Sequence, residues 1–272
     1  MKTSLMAIAT IPLVTGGPAS FAQTVSLFTG QTPADAASSD PKAITLGVKF
    51  WSTQAGTVSG IRFYRGAASA GGYTVRLYTA SGTILGQATL PQDTCNLPCW
   101  EEADFASPIP IAANTTYIAA YYTPVGRYAD TNYDLTNGVM NGPLVAPASS
   151  QAGGNGVYHY GSPIRFPRYT WEATNYYVDV AFTATAPTLL LSINPPKPSV
   201  PSTAPLGTVV GRLNATWSDG SPFTGTLSFS SPNGNDHGQF AISGNNLIVN
   251  SAGPSLGGDA GTTQQVTVTA TQ

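Results

Sequence analysis

The residue types best suited to binding in this chain are aromatic, and they concentrate in one segment. Ten of the thirteen tyrosines lie between Tyr117 and Tyr177. Residues 123–175 show little regular alternation of apolar and polar side chains, and connections this long are uncommon unless they are functional or pack as a lid. The aromatic and cationic side chains of this segment are Tyr128, Tyr133, Tyr158, Tyr160, Tyr169, Trp171, Arg127, Arg165 and Arg168.

These side chains predict a binding surface. Flat aromatic faces beside hydrogen-bonding groups suit the C–H faces of sugar rings, and Tyr, Trp and Arg also concentrate binding energy in protein interfaces. The alternative is that the aromatic residues fold back and cover one sheet of the protein in place of a helix. The candidate ligand-binding residues are Tyr128, Tyr158, His159, Tyr160, Arg168 and Trp171.

Residues that could catalyse a reaction are few. Glu101, Glu102 and Asp104 form an acidic cluster, and only Glu102 and Asp104 can share a side if the segment is a strand. That pair could be half of a glycosidase site or a weak calcium ligand, but a solvated strand edge beside the cysteines is the simpler interpretation. His159 and His237 are far apart in sequence, and a structural role is the simpler interpretation of His159.

The sequence contains no motif for a hydrolase nucleophile, a metal-binding histidine pair, a phosphate loop or a dinucleotide. We therefore expect no enzymatic activity, no catalytic residue, no cofactor and no metal site.

The two cysteines, Cys95 and Cys99, predict a local disulfide, because export places them in an oxidising compartment. A redox-active pair would favour two intervening residues, and a structural zinc would need two more ligands nearby. Closing so short a loop contributes only about 2 kcal/mol, so the bond is expected to shape a loop rather than hold a domain.

The N-terminus indicates where the protein is delivered. Lys2 precedes an apolar run over residues 5–14, and small residues follow up to Ala22. This pattern predicts a secretory signal peptide over residues 1–22, cleaved after Ala22. A membrane span needs about 18 to 20 apolar residues, and neither this run nor a later one is long enough. We expect a secreted, extracellular protein, released or held at the cell surface.

Composition and charge exclude further classes. Charged residues make up 9% of the chain and the net charge is −2, so a nucleic-acid partner is not expected. The hydrophobic fraction of 42% is sufficient for a buried core.

The elements that must position the candidate residues are short strands. Alternating runs separated by Gly, Pro, Asn and Ser predict strands over residues 44–51, 61–64, 73–78, 83–90, 117–122 and 176–182. Ser81-Gly82 predicts a tight hairpin turn, and no window keeps a long helical period. An all-β sandwich follows.

A domain boundary is predicted near residues 184–188. The proline-rich segment 194–201 cannot lie in a central strand, so it is an edge segment or a stiff joint. Further strands are predicted over residues 208–215, 226–230, 240–242, 246–249 and 265–270, with a turn at Asp219-Gly220. Two sandwich domains are expected: residues 23–186, jelly-roll-like, and residues 187–272, immunoglobulin-like.

Five ordered motifs carry a resemblance to a known family over residues 24–184. They are Leu46-Gly47-Val48-Lys49-Phe50, Gly60-Ile61-Arg62-Phe63-Tyr64, Ala113-Asn114-Thr115-Thr116-Tyr117, Gly156-Val157-Tyr158-His159-Tyr160-Gly161 and Asn175-Tyr176-Tyr177-Val178-Asp179-Val180. The segment resembles the uncharacterised bacterial extracellular domain-of-unknown-function family 4082. The resemblance implies a secreted β-sandwich module, sometimes attached to enzymes, and it carries over no catalytic residue.

The segment over residues 188–272 resembles a cadherin- or immunoglobulin-like repeat of bacterial surface proteins. The similar stretches include Gly207-Thr208-Val209-Val210, Ser218-Asp219-Gly220-Ser221 and Phe240-Ala241-Ile242-Ser243-Gly244. Cadherins bind calcium through acidic clusters, whereas Asp219, Asp236 and Asp259 are isolated here, so calcium binding is not implied.

Together these features predict a secreted or cell-surface, non-enzymatic binding or adhesion protein. The N-terminal domain is expected to recognise a glycan or another cell-surface component, and the C-terminal domain to act as a spacer or adhesive module. Two alternatives remain: a purely structural surface protein without a small ligand, and an accessory module of a secreted hydrolase. The sequence leaves the ligand and the oligomeric state open.

Overall fold

The computed structural model describes residues 5–8, 14–15, 23–66, 72–91, 95–229, 238–250, 256, 263–264 and 266–271. The predicted cleavage point after Ala22, together with Asp236, His237 and Asp259, lies outside these residues. The described part of the chain contains strands and no helix, which confirms the all-β prediction. Accordingly, none of the described segments is a helix with the length and apolar character needed to span a membrane.

The strands are numbered in chain order. The first eleven are β1 Leu5–Ile8, β2 Val14–Thr15, β3 Thr24–Val25, β4 Ile44–Ser52, β5 Gly56–Arg65, β6 Tyr73–Thr79, β7 Ile84–Leu90, β8 Cys99–Ile111, β9 Tyr117–Thr123, β10 Val139–Asn141 and β11 Leu144–Ala146. The others are β12 Val157–Tyr160, β13 Tyr169–Thr170, β14 Val178–Ala184, β15 Leu189–Asn194, β16 Ser199–Pro201, β17 Val209–Trp217, β18 Thr226–Phe229, β19 Phe240–Ser243, β20 Asn246–Val249, β21 Thr263–Gln264 and β22 Val268–Thr271.

The chain divides into two compact units. The larger unit comprises residues 21–185, and the smaller unit comprises residues 186–272 together with residues 1–20.

The larger unit is a sandwich of two sheets. The large sheet has the order β10-β11-β4-β9-β6-β7, with β12 also paired to β4 and β13 paired to β12; the small sheet has the order β3-β14-β5-β8. Side chains from the two sheets form one buried cluster. Phe63 of β5 stacks on Tyr121 of β9 with ring centroids 4.6 Å apart, so rings from both sheets meet in the core.

The predicted inward faces are correct. Leu46, Val48 and Phe50 of β4 are buried in the common core. Gly82, at a φ of 94°, lies in the turn between β6 and β7, which confirms the predicted hairpin.

The outer face of the large sheet is also partly covered. Tyr78, Ile118, Ala120 and Val157 form a second buried cluster against which Phe166 packs. The long segment therefore does fold back over the sandwich, as the alternative interpretation expected: Phe166 covers the outer face, and Tyr128 and Tyr158 pack against the main core.

The longest strand, β8, was missed from the sequence. It contains Pro108 and Pro110, and it places the charged Glu101 at an inward position, so both composition and alternation hide it. The prolines are tolerated because β8 is the edge strand of the small sheet, where a missing N–H breaks no ladder on the open side.

The described residues of the smaller unit form three sheets, with the orders β15-β17-β20-β19, β18-β22-β2 and β16-β1-β21. The five strands predicted here overlap β17, β18, β19, β20 and β22. Of the proline-rich stretch, Ser199–Pro201 forms an edge strand, as predicted. Strands β1 and β2 come from the predicted signal peptide, so their pairing describes the chain with that segment attached.

Candidate functional site

Strand β12 positions the central candidate residues. It pairs antiparallel with β4, with Tyr158 opposite Leu46 and Tyr160 opposite Ile44. Because successive side chains of a strand point to opposite faces, Tyr158 and Tyr160 share one face and His159 lies on the other. The candidate residues therefore divide between two sites.

The first site is a cavity of about 250 Å³, called here the aromatic cavity. Its lining residues are Ile44, Tyr128, Tyr158, Tyr160, Trp171 and Tyr176. Four of the six predicted binding residues meet here. Tyr176 and Ile44 were not predicted as site residues, although both lie in segments predicted as strands.

Tyr158 is the centre of a ring cluster in this cavity. Its ring centroid lies 5.6 Å from that of Tyr160, 5.9 Å from that of Tyr169 and 6.3 Å from that of Tyr176. Tyr128 packs edge-on against Tyr176 at 5.9 Å. These edge-to-face and tilted geometries are favourable for aromatic pairs and fix the orientation of each ring.

Trp171 stands at the rim, and its backbone is held by a tight turn. The backbone N–H and the hydroxyl of Thr174 both donate to the carbonyl of Trp171, at 2.9 and 2.7 Å. Glu172 and Ala173 adopt left-handed backbone conformations in this turn, and their carbonyls accept hydrogen bonds from the N–H groups of Tyr133 and Leu135. The Trp171 side chain is 57% exposed, so a flat aromatic face is presented to solvent from a fixed backbone.

The hydroxyls of Tyr160 and Tyr176 in the cavity have raised pKa values and remain protonated. Burial, together with the hydrogen bond that the Tyr160 hydroxyl donates to Asp40 Oδ2 at 2.5 Å, raises the pKa of Tyr160 far above its ordinary value. Burial likewise raises the pKa of Tyr176. The Tyr160 hydroxyl already donates its proton to Asp40 and offers only its oxygen as an acceptor, whereas the Tyr176 hydroxyl can donate and accept at neutral pH.

The second site lies on the outer face of the large sheet and is called here the arginine cavity. Its volume is about 350 Å³, and it contains the two remaining candidates, His159 and Arg168. Arg76, Tyr78, Arg165 and Phe166 also line it. Arg76 and Tyr78 could have been predicted, because they share the face of β6 opposite Val75 and Leu77.

Tyr169 contacts residues of both sites. Its ring centroid lies 5.9 Å from that of Tyr158 and 5.4 Å from that of His159, and the guanidinium of Arg168 lies 5.5 Å from it. His159 Nδ1 is 2.8 Å from the carbonyl oxygen of Tyr160, a contact that fits a structural role for the ring.

One buried amide positions β12 and was missed from the sequence. Asn155 has no exposed surface; its Oδ1 accepts from the N–H of Lys49, and its Nδ2 donates to the carbonyls of Lys49 and Pro147. Both β11 and β12 pair with the same edge of β4, at Trp51–Ser52 and Ile44–Gly47. Between these two paired stretches, the Asn155 side chain bonds the backbone N–H and carbonyl of Lys49. No pattern in the sequence around Asn155 predicts this role.

The acidic cluster lies apart from both cavities. Glu101 is 1% exposed and lies 3.4 Å from the buried Arg65, so the expectation of a solvated strand edge is wrong for this residue. The reason is that side chains alternate between the two faces of β8, and Glu101 lies at an inward position. Glu102 and Asp104 do share the exposed side, and Glu102 lies 3.6 Å from Arg62. Neither carboxylate lines either of the two cavities.

Cys95 and Cys99 form the predicted disulfide. Glu101 lies within 4.8 Å of both sulfur atoms, so one potential metal ligand is nearer than the sequence indicated. The sulfurs are oxidised and the carboxylate pairs with Arg65, so this group does not offer the thiolates that a metal would need.

Comparison with known proteins gives one positive result. A family model described as "Domain of unknown function (DUF4082)" matches residues 30–178, just over half of the chain. No curated protein matches the sequence. The family match ends before the smaller unit, so its cadherin- or immunoglobulin-like character stays a prediction.

Proposed function

The chain belongs to the family described as "Domain of unknown function (DUF4082)", and from the aromatic cavity we propose that it is an exported, non-enzymatic binding protein whose larger unit recognises a glycan. In this proposal the smaller unit acts as a spacer or an adhesive module.

The observation that carries the proposal is that aromatic side chains from separate parts of the chain meet in one cavity. Tyr128, Tyr158 and Trp171 come from distant parts of the long segment, yet they line one cavity with Tyr160 and Tyr176. A set of aromatic faces with convergent hydroxyls provides stacking surfaces for C–H groups and hydrogen bonds for sugar hydroxyls. A sandwich core alone needs neither the exposed Trp171 nor the solvent-facing Tyr160.

The dimensions of the cavity favour a small ring over a protein surface. A stable protein interface buries at least about 1,000 Å², whereas the aromatic cavity is a concave site of about 250 Å³, slightly below the range of about 300–1,000 Å³ for small-molecule sites. A sugar ring at the end or side of a glycan is the ligand of this size and polarity that an exported protein meets.

Export is supported by two features of the chain. The apolar N-terminal run has the form of a signal peptide. The disulfide between Cys95 and Cys99 is a bond that persists in oxidising compartments.

The test is a titration of the purified full chain with neutral oligosaccharides, namely cello-, xylo-, manno- and chito-oligomers, followed by tryptophan fluorescence. We expect saturable binding of one class. Replacing Trp171 or Tyr158 by Ala should weaken it at least about tenfold, the effect of losing roughly 1.4 kcal/mol of contact energy.

The matched control is Trp217→Phe, which also removes one tryptophan but lies in the smaller unit, where the ring packs on Phe223. That variant should bind as the wild type does. A folded protein that binds none of the oligomers, or variants that bind unchanged, would contradict the proposal and favour a purely structural surface protein.

A further inference from the structure

The proposed function gives no role to the charged side chains of the arginine cavity. Three of the eleven Lys and Arg residues of the chain, Arg76, Arg165 and Arg168, line it together with His159. No carboxylate is among the described residues that line it. This cluster stands out in a protein whose net charge is −2.

The cavity is built on a fixed frame. The N–H of Arg165 donates to the Thr45 hydroxyl at 3.1 Å, and the N–H of Arg168 donates to the Tyr158 carbonyl at 3.2 Å. Phe166, between them, packs edge-on against the buried Tyr78 at 5.2 Å. The backbone that carries both arginines is therefore attached to the large sheet at three points.

Among the described residues, the guanidinium groups of Arg76 and Arg168 contact neutral groups. Arg76 Nε donates to Gln87 Oε1 at 2.6 Å, and its Nη1 lies 3.4 Å from the Tyr78 hydroxyl. Arg168 lies over the ring of Tyr169. Within the described part of the chain, none of Arg76, Arg165 and Arg168 forms an ion pair with a carboxylate.

We infer that the arginine cavity is a second binding site and that it takes the carboxylate of an acidic sugar, of the uronic acid class. Guanidinium forks bind planar oxyanions through two parallel hydrogen bonds. Tyr78, Phe166, Ile84 and Ile164 supply apolar walls beside the charges, which fit a ring attached to the anionic group.

We infer an oxyanion ligand from the arginines, independently of the proposed function. The inference that this oxyanion belongs to a sugar rests on the proposed function. His159 and Tyr158 are neighbours on opposite faces of β12, so the two cavities are separate sites. Trp171 lines only the aromatic cavity and Arg165 only the arginine cavity, so a substitution at either residue tests one site.

The experiment is calorimetry of the full chain with tetragalacturonate and with its methyl ester, which keeps the sugars and removes the charges. We expect the acid to bind at least about tenfold more tightly than the ester, since a hydrogen-bonded charge contributes more than that factor. Arg165→Gln and Arg168→Gln should each reduce the affinity for the acid by about the same factor.

Two controls isolate the site. Arg212→Gln removes the same charge from an exposed position in the smaller unit and should leave the affinity unchanged. Trp171→Ala should lose neutral oligomers and keep the acid, so failure of the aromatic cavity and failure of the arginine cavity give different results. Thermal unfolding checks that each variant is folded.

Four results would overturn the inference. Equal affinity for acid and ester would remove the role of the carboxylate. An equal loss in Arg212→Gln would mean non-specific attraction. Tighter binding of a sulfated galactose oligomer than of tetragalacturonate, or no binding of tetragalacturonate at all, would show that the site does not take a uronate.

Discussion

Asp130 holds the start of the long segment, residues 123–175, against the sandwich. The backbone of Asp130 bridges to that of Asp35 through two hydrogen bonds, which attach the start of the segment to residues near the N-terminus of the larger unit. The same contact brings two carboxyl groups together. Burial, and then the charge of Asp35, raise the pKa of Asp130 from 3.8 to about 6.

The raised pKa predicts a pH-dependent effect of Asp130→Asn. The folded state holds this proton more tightly than the unfolded state, so the stabilisation is complete below pH about 4 and is lost as the pH rises through about 6. The variant should therefore be more stable than the wild type at pH 8 and equal to it at pH 4. Two pKa units correspond to about 3 kcal/mol, which screening at a half-buried group reduces to about 1 kcal/mol.

Urea unfolding at pH 4, 5, 6, 7 and 8 measures this difference. Asp179, whose pKa burial also raises to about 6, is present in both proteins and cancels. Asp35→Asn, which removes the partner charge, should give a smaller gain with the same pH dependence. A gain that does not change with pH would contradict the electrostatic account.

At the scale of elements, the site depends on two strands that share one edge. Strands β11 and β12 both pair with β4, and between them the Asn155 side chain takes over the hydrogen bonds of Lys49. This arrangement fixes where β12 lies, and so where Tyr158 and Tyr160 point.

Asn155→Ala should therefore destabilise the larger unit. The substitution leaves the N–H of Lys49 and two carbonyls without their partner, and each buried unsatisfied group costs about 1–3 kcal/mol, so a total of about 2–4 kcal/mol is expected after water enters part of the space. Asn155→Asp should be at least as harmful, because a carboxylate would face the carbonyls of Lys49 and Pro147.

Urea unfolding of the full chain is the measurement, with Asn137→Ala at an exposed position as the matched control. If Asn155→Ala lost no more stability than Asn137→Ala, the amide would not be the link between the two strands. Loss of oligosaccharide binding in the folded fraction would show that the position of β12 matters to the site.

The elements also show what the sequence could and could not predict. Alternation located β4, β6, β9 and the hairpin, because one face of each is apolar. The sequence Tyr158-His159-Tyr160 was also sufficient to predict that the candidate residues divide between two sites. In a strand, the His159 side chain must point to the face opposite those of Tyr158 and Tyr160. The pairing of β12 with β4 joins residues more than a hundred positions apart, and no local pattern encodes it.

At the scale of the whole molecule, the chain consists of two β units with different compositions. The larger one carries both cavities, the disulfide and most of the charged residues, whereas residues 190–272 contain only Lys197, Arg212, Asp219, Asp236 and Asp259. In the proposed function, the larger unit is the recognition unit and this weakly charged unit is the spacer.

The disulfide belongs to this scale because it joins two residues of the larger unit that line neither cavity. The double substitution Cys95→Ser with Cys99→Ser should lower the free energy of unfolding by at most about 2 kcal/mol, since the loop that it closes is short. Binding at both cavities should be unchanged, because neither cysteine lines them. Thermal unfolding and the oligosaccharide titration measure the two effects, and a loss of binding in a folded double variant would contradict this assignment.

The most direct test of the aromatic cavity is an NMR titration of the full chain carrying ¹³C-labelled tyrosine with the neutral oligosaccharide that binds best. The ring signals of Tyr128, Tyr158, Tyr160 and Tyr176 are expected to shift together and saturate at one affinity. Those of Tyr64 and Tyr117, which lie outside the cavity, should not move. A folded protein whose tyrosine signals stay unchanged, or shift at Tyr64 and Tyr117 as much as in the cavity, would contradict glycan recognition at this site.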